Sequence, residues 1–556
     1  MPHNDTNGDI ASVDGGIGAE ITGDVAGAER RLRRDLGFWG LTAIGFSNIV
    51  GSGWLFAAMY AAQTAGPAAL LSWVAAGLLC ALIALVMVEL GATRPESGGT
   101  VRWPLYANGR LVGTLIGWST LLSVGGTAAE ITAIMRYADR YLPWIYHGST
   151  ITLAGVLLAV AFSVLLTALN WFAVRMFARL NNIVTVLKVA VPVITVIALI
   201  VSGFHSGRLT DHGGFAPYGY SACLSALAAG GIVYSVNGFQ APVDFSGEAR
   251  NPRRNVPLSV LTGIGVAVLI YLALQLAFLF AVPDNLLGHG WQGVSFDSPF
   301  GQLALLINLQ WLSSLLYADA VLSPGGSAYV GVAVDTRHTY ALAKNRLLPR
   351  FFMAVHERSG IPRRALALNL AVIVIFLLPF SGWQQIVAVM GDMYLLIYSA
   401  SAVAAATFRS ADRTRLAGWI PGMRWIAPVS FVVAGEFIFW SGWDDLRIAL
   451  PLVLVGLPLF LALWRGGWHA TLVAELVKGS WLVAYLVVLT LLSWLGGFSG
   501  NGTVPAPWDS VAVALVSLAV FRWAVGSGRA HVSGTDTAAA ENQASQGGQD
   551  SPRDVL

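Results

Sequence analysis

The chain predicts an all-α protein that crosses a membrane many times, on three observations. Of its 556 residues 56% are hydrophobic and only 11% charged, with 20 tryptophans, which is too apolar for an ordinary soluble domain. Apolar stretches long enough to span a bilayer recur along nearly the whole length. The basic residues, finally, gather in alternate gaps between those stretches. About fourteen transmembrane helices follow: 38–63, 67–91, 113–142, 150–170, 183–203, 221–246, 258–282, 302–334, 366–380, 383–408, 424–441, 446–465, 477–497 and 508–526.

The first run is interrupted at Ser47-Asn48-Ile49-Val50-Gly51-Ser52-Gly53. Two glycines around a serine let the backbone leave helical geometry and approach a ligand. Non-helical backbone at membrane depth is tolerated only against protein or a watery cavity. The sixth run carries a second interruption at Asn237-Gly238-Phe239-Gln240-Ala241-Pro242. Broken helices in corresponding positions of two halves point to a transporter's binding site. Glycines also serve close helix packing, and Gly230 and Gly231 are read that way. The ninth run is short and turns tightly into the tenth at Ser381-Gly382.

Charge tests the count independently. With a cytoplasmic N-terminus, the segments expected inside hold 28 of the 33 Lys and Arg. They include Arg30, Arg31, Arg33 and Arg34 ahead of the first run, Arg250, Arg253 and Arg254 after the sixth, and seven from Arg337 to Arg364 after the eighth. Outside segments hold only Arg136, Arg140, Arg208 and Arg447, and Lys188 lies within a run. Such a skew places both termini in the cytoplasm and the protein in the plasma (inner) membrane, with the lipid bilayer as its surroundings.

Several classes are disfavoured. A net charge of +3 spread over loops gives no basis for nucleic-acid binding. Cys80 and Cys223 sit in apolar runs and suggest neither a disulfide framework nor a metal site. No apolar signal segment precedes the first run; residues 1–35 and 527–556 read as disordered cytoplasmic tails. No phosphate-binding loop, catalytic triad or metal-ligand spacing stands out, so no enzyme activity and no cofactor is expected. All nine histidines are assigned to tails or loops, which excludes a buried histidine relay. Trp103, Trp144, Trp171, Trp291 and Trp508 lie near run ends and are read as interfacial anchors.

Four ordered motifs resemble the amino acid–polyamine–organocation (APC) superfamily. Gly51-Ser52-Gly53 followed by Trp54-Leu55-Phe56 is similar to its first-helix signature, and Glu89-Leu90-Gly91 with Pro95-Glu96-Ser97-Gly98-Gly99 to its segment after the second helix. Glu248-Ala249-Arg250-Asn251-Pro252-Arg253-Arg254-Asn255-Val256-Pro257 resembles the segment after the sixth. Arg337, Tyr340-Ala341, Ala343 and Leu348-Pro349 resemble the loop after the eighth. The resemblance covers roughly 36–410 and implies a five-plus-five inverted-repeat core there, with broken helices 1 and 6 around the substrate; 411–526 would add four further helices. It implies that the amides of Gly51, Ser52 and Gly53 hold a substrate carboxylate at a positive helix end. The ammonium would meet carbonyls near Ile49, Tyr234 and Asn237, while Asn237 and Gln240 are polar where relatives are often apolar or acidic. Glu248, Asn251 and Pro252 are assigned to a cytoplasmic gate, and Asp244 to gate or site.

Charges inside a membrane are costly, about 2.5–3.5 kcal/mol each at the centre on insertion scales. Lys188 resembles a fifth-helix lysine of proton-coupled members that bridges helices one and eight; a lysine snorkelling to the interface is the plainer alternative. Glu130 and Asp319 are the carboxylates placed to pair with it or carry protons, with a structural pairing of Glu130 to Arg136 or to another run's polar group as the alternative for the former. Asp392 and Glu436 are weaker candidates, near a run end or outside the core.

Together these readings describe a secondary active permease importing an amino acid by proton symport with alternating access. An amino-acid or polyamine exchanger is the alternative of the same fold, and a non-transporting membrane sensor or scaffold the alternative of another class. The fourteen-span length is similar to the aspartate–proton symporter branch. The last four helices stabilise the bundle or make a homo-oligomer contact, and the sequence leaves both open.

Overall fold

The computed structural model describes residues 36–547 apart from 97, 149, 173, 229, 357–360, 379–381, 412–419 and 465–469. The first tail, Ser97 of the second-run motif and Ser381 of the expected turn therefore lie outside the described residues. Among those described, the chain is helical save for loops, an isolated bridge at Leu36 and a two-stranded hairpin, β1 (Tyr146–His147) with β2 (Thr150–Ile151). Among the described residues ten helical stretches are long and apolar enough to cross a membrane. The protein is an all-α polytopic membrane protein.

The first run is two helices, α1 (Phe38–Ile49) and α2 (Gly53–Ala65). Val50 leaves helical geometry at ψ 87°, so Val50, Gly51 and Ser52 form the interruption read from the sequence. α3 (Ala69–Thr93) follows, then α4 (Gly99–Leu122) and α5 (Gly125–Ala138). α4 starts ahead of the expected residue 113; its first turns are polar yet buried by neighbouring helices, and Gly109, at φ 84°, kinks it. After α6 (Leu153–Phe172) and α7 (Val174–Gly203), the sixth run breaks twice into α8 (Ser221–Ala228), α9 (Ile232–Val236) and α10 (Ala241–Asp244). The second break is the expected one at Asn237. The first puts Gly231, read as a packing glycine, at φ 74°, where it starts α9 against Trp383.

α11 (Pro252–Ala281), α12 (Pro299–Leu306) and α13 (Gln310–Lys344) come next. α13 continues well past the expected end at 334. α14 (Arg363–Leu377), α15 (Trp383–Ala411), α16 (Met423–Trp440), α17 (Trp443–Leu454), α18 (Gly456–Leu463), α19 (Ala470–Leu495) and α20 (Trp508–Gly547) complete the chain. α20 extends into the segment expected as a tail from 527.

Packing encloses the first interruption. α11 lies along α3 and α1, while α7 packs on α1, α11 and α13, and α13 on α5. Small residues allow these approaches: a methyl on Gly77 would come within 2.8 Å of Val268 across α3 and α11. α15 packs on α4, α5 and α16, with α20 flanking α15 and α16. The carboxylate of Glu89, at the end of α3, is clasped by Arg409 of α15 and accepts the Ile420 amide at 3.2 Å, so the second-run motif is a buried strut. Two of the expected interfacial tryptophans are corrected: Trp103 and Trp291 are completely buried in protein, because the polar turns around them fold inward.

At one end, Leu36 forms a parallel bridge to Ala249; its N–H bonds the Glu248 carbonyl at 3.2 Å and its carbonyl accepts the Arg250 N–H at 2.7 Å. The start of the first run is thereby tied to the segment after the sixth.

Candidate functional site

The two interruptions meet. Asn48 Nδ2 donates to the Gly238 carbonyl at 3.3 Å, and a methyl on Gly238 would lie 2.6 Å from the Asn48 carbonyl oxygen. Gly238 sits at φ 104°, open to glycine alone without strain, and its amide donates to Gln240 Oε1 at 3.0 Å. Gly53 makes the second close approach: a methyl there would stand 2.9 Å from Cα of Ser235. A cavity of about 50 Å³ lies between the breaks, lined by Ile49, Gly53, Glu130, Tyr234, Asn237 and Gln240 among others. Six of the sequence-derived site residues therefore share one cavity. It continues along α13 past Ser327 and Val334 to Asp335 and His338.

Gly51 and Ser52 do not line it, because the protein's own carboxylate covers them. The Ser52 N–H donates to Glu130 Oε2 at 2.6 Å, and a methyl on Gly51 would lie 2.4 Å from Oε1. The amide expected to be free for a ligand thus carries Glu130, whose other oxygen accepts the Tyr234 hydroxyl at 3.3 Å. The alternative Glu130–Arg136 pair is not formed, since Arg136 pairs with Asp297 and lies over the Tyr146 ring. The Ser52 hydroxyl accepts the Trp383 indole N–H at 2.7 Å, and that indole stacks on Phe56 and Tyr60.

Lys188 is fully buried and does not snorkel. Its ammonium donates to the Ser47 and Val50 carbonyls, both at 2.6 Å, which are the last acceptors of the first half-helix. The charges of Glu130 and Asp319 both act on it. Asp319 is 2% exposed, neither of its carboxylate oxygens has a hydrogen-bond partner among the described residues, and it does not line the cavity. The Ile49 carbonyl accepts the Tyr271 hydroxyl at 3.2 Å, and the Tyr398 hydroxyl joins Asn237 to Gln240.

Glu248, Asn251 and Pro252 stand apart from the cavity. Glu248 pairs with Arg337 at 3.6 Å besides bonding Leu36, and Asn251, at φ 48°, is the residue before α11, with Pro252 at its first position. Asp392 bonds the Ser441 hydroxyl at 3.2 Å, away from the site. His338 corrects the placement of every histidine in a loop or tail: it is buried within α13, with Nε2 3.1 Å from Asp244 Oδ2. Hydropathy ends the eighth run at Val334, but Asp335 and His338, one turn apart, mark a continued helical face. Among the described residues no group of His, Cys, Asp and Glu could hold a metal ion.

The chain is similar to known transporters over most of its length. It is 34% identical to the glutamate/serine transporter AimA of Bacillus subtilis (strain 168), covering 90% of this chain and 94% of that one. It is 33% identical to the aspartate-proton symporter of the same organism, covering 89% and 96%. The solved structure of an Eremococcus coleocola manganese transporter mutant shares the fold at TM-score 0.52 and 14% identity, over 83% of this chain and 99% of that one. The model of the family described as amino acid permease matches residues 36–457, and the chain belongs to that family.

Proposed function

We propose that this protein is a secondary active transporter that imports a polar or acidic amino acid together with protons. The observation that carries the proposal is Glu130 on the Ser52 amide, at the positive end of α2 and beside the cavity. A substrate carboxylate suits the same amide, and two anions cannot share it. For the substrate to seat, Glu130 must withdraw, and taking a proton lets it do so as a neutral acid. Substrate and proton therefore enter together. The similarity to a glutamate/serine transporter and an aspartate-proton symporter supports that substrate class and that coupling.

Lys188 completes the linkage. Its ammonium fixes the Ser47 and Val50 carbonyls, and Glu130 and Asp319 supply its countercharge. When Glu130 takes a proton, Asp319 is the remaining anion in reach, which favours a shift of Lys188 from the first break toward α13. Movement of the broken helices then opens the site to the other side. The fuller architecture goes with this reading: fourteen crossings, inverted repeats within 36–410, and both termini in the cytoplasm. On that orientation Leu36, Glu248 and Arg337 form the cytoplasmic closure.

The test is uptake into proteoliposomes under an inward proton gradient, with labelled amino acids offered singly and as competitors. Accumulation of an acidic or polar amino acid that a protonophore abolishes is expected. Counterflow without gradient-driven accumulation would replace symport by exchange, and binding without flux would make the protein a sensor.

A further inference from the structure

The far end of the cavity holds a cluster that the amino-acid site does not use. His338 and Asp335 of α13 line the cavity, and Asp244 of α10 faces them from the broken sixth run. His338 Nε2 lies 3.1 Å from Asp244 Oδ2, and His338 Nδ1 4.0 Å from Asp335 Oδ1. All three are buried, at 7%, 1% and 7% exposed for His338, Asp244 and Asp335. From α4 the Thr100 hydroxyl donates to Asp244 Oδ1 at 2.6 Å, and Gly98 donates its N–H to the Asp244 carbonyl at 3.2 Å. The remaining groups nearby are otherwise engaged: Arg337 with Glu248 at 3.6 Å and over the Phe245 ring, Arg102 with Glu96 at 3.7 Å, and the Tyr394 hydroxyl on the Ser123 carbonyl.

His338 thus stands between two buried carboxylates, one on α10 and one on its own helix α13, and α10 and α13 must separate for this end to open. With a proton on His338, the imidazolium joins α10 to α13 in a dry environment, where parting would strand charges. When His338 gives that proton to water, Asp244 and Asp335 confront each other without a cation, and hydration of the gap is favoured. We infer that His338 is a second proton-responsive residue of the transport cycle, latching this end of the cavity when protonated and releasing it when not. The inference rests on the transport reading for its place in a cycle, but its test needs no substrate.

The test uses the full chain with Cys80→Ala, Cys223→Ala and Val334→Cys, the last a cavity-lining position that is 3% exposed. A membrane-impermeant maleimide is applied to inverted and to right-side-out vesicles at pH 5.5 and pH 8. Rates are divided by those of the same protein unfolded in detergent, which removes the thiol's own pH dependence. Conformational couplings ordinarily span about 5–150-fold, so the normalised rate is expected to rise at least about fivefold at pH 8, only from the side bearing Leu36. His338→Gln keeps the side-chain donor without the titration and should flatten the profile. Asp244→Asn removes the anion at nearly constant shape and should flatten it too, and it serves if His338→Gln does not fold. A wild-type rate indifferent to pH, or a wild-type profile kept in the folded variants, overturns the latch. If no amino acid is transported yet the profile follows His338, the latch stands and the substrate reading falls.

Discussion

Ser52 divides its polar groups between two partners, and that division makes separable predictions. Its amide carries Glu130 and its hydroxyl only completes the Trp383 bond. Ser52→Ala should therefore keep amino-acid binding within about fivefold, since a neutral side-chain hydrogen bond is worth roughly 1 kcal/mol net. Gly51→Ala should abolish binding, because the new methyl would sit 2.4 Å from the carboxylate on that amide. Equilibrium binding of labelled amino acid checks both; tight binding by Gly51→Ala would remove the amide from the site. Lys188→Ala leaves the Ser47 and Val50 carbonyls without their buried donor and takes the cation from Glu130 and Asp319. Gradient-driven accumulation should vanish in proteoliposomes, with a stability loss of about 3–5 kcal/mol for a broken buried charge cluster. Unchanged accumulation would sink its part in coupling.

At the scale of the element, what matters is that the two broken runs touch through their breaks. Gly238 is the contact, so Gly238→Ala combines a strained φ of 104° with a methyl 2.6 Å from the Asn48 carbonyl. The clash is with backbone rather than with the end of a flexible side chain. The variant should lose uptake while remaining a membrane protein of lower melting temperature, measured by thermal unfolding in detergent; full activity would show that the breaks need not meet. These interruptions were legible because glycine, serine and asparagine in an apolar run have few other uses at membrane depth. The break before Gly231 was not, since a pair of glycines reads equally as packing. His338 was missed because hydropathy falls after Val334, whereas the helix continues: α4 and α10 bury its polar residues, which no local window can register. Nor could the sequence place Glu130 on Ser52, a contact between residues 78 positions apart.

For the whole molecule, the two ends should answer pH differently. Opposite the His338 cluster, Arg208 and His212 bond Asp284 outside the helices, and the Arg208 bond, first among them, holds that carboxyl below its ordinary range. The stability from this pair is present above the ordinary carboxylate pKa of about 3.9 and is lost only as pH falls through the lowered value. With His212→Gln in the background, so that only the Arg208 pair remains, Asp284→Asn should thus lower the melting temperature by the same amount at pH 5 and at pH 8, the difference closing only in stronger acid. A difference that grew between those two pH values would assign to this end the sensitivity ascribed to His338.

Topology gives the last test at this scale, because the number of crossings fixes where the ends lie. Twenty-eight of the 33 basic residues fall in the gaps that a fourteen-span count places on one side. The Leu36–Glu248–Arg337 closure lies at one end of α11, and Arg208 with Asp284 at the other. An even count puts the first and last residues together, whereas losing the short helix Arg363–Leu377 as a crossing would put them on opposite sides. Epitopes fused before residue 1 and after residue 556 should both be cleaved by protease in inverted vesicles and both be protected in right-side-out ones. An epitope inserted at Gly214, between α7 and α8, should behave oppositely to both. If the two ends part company, the number of crossings is odd; were α14 the helix that fails to cross, α15 would be reversed and Arg409 could not hold Glu89 at the end of α3. That contact joins the ends of α3 and α15, so ends exposed on opposite sides would count against the fourteen-span reading.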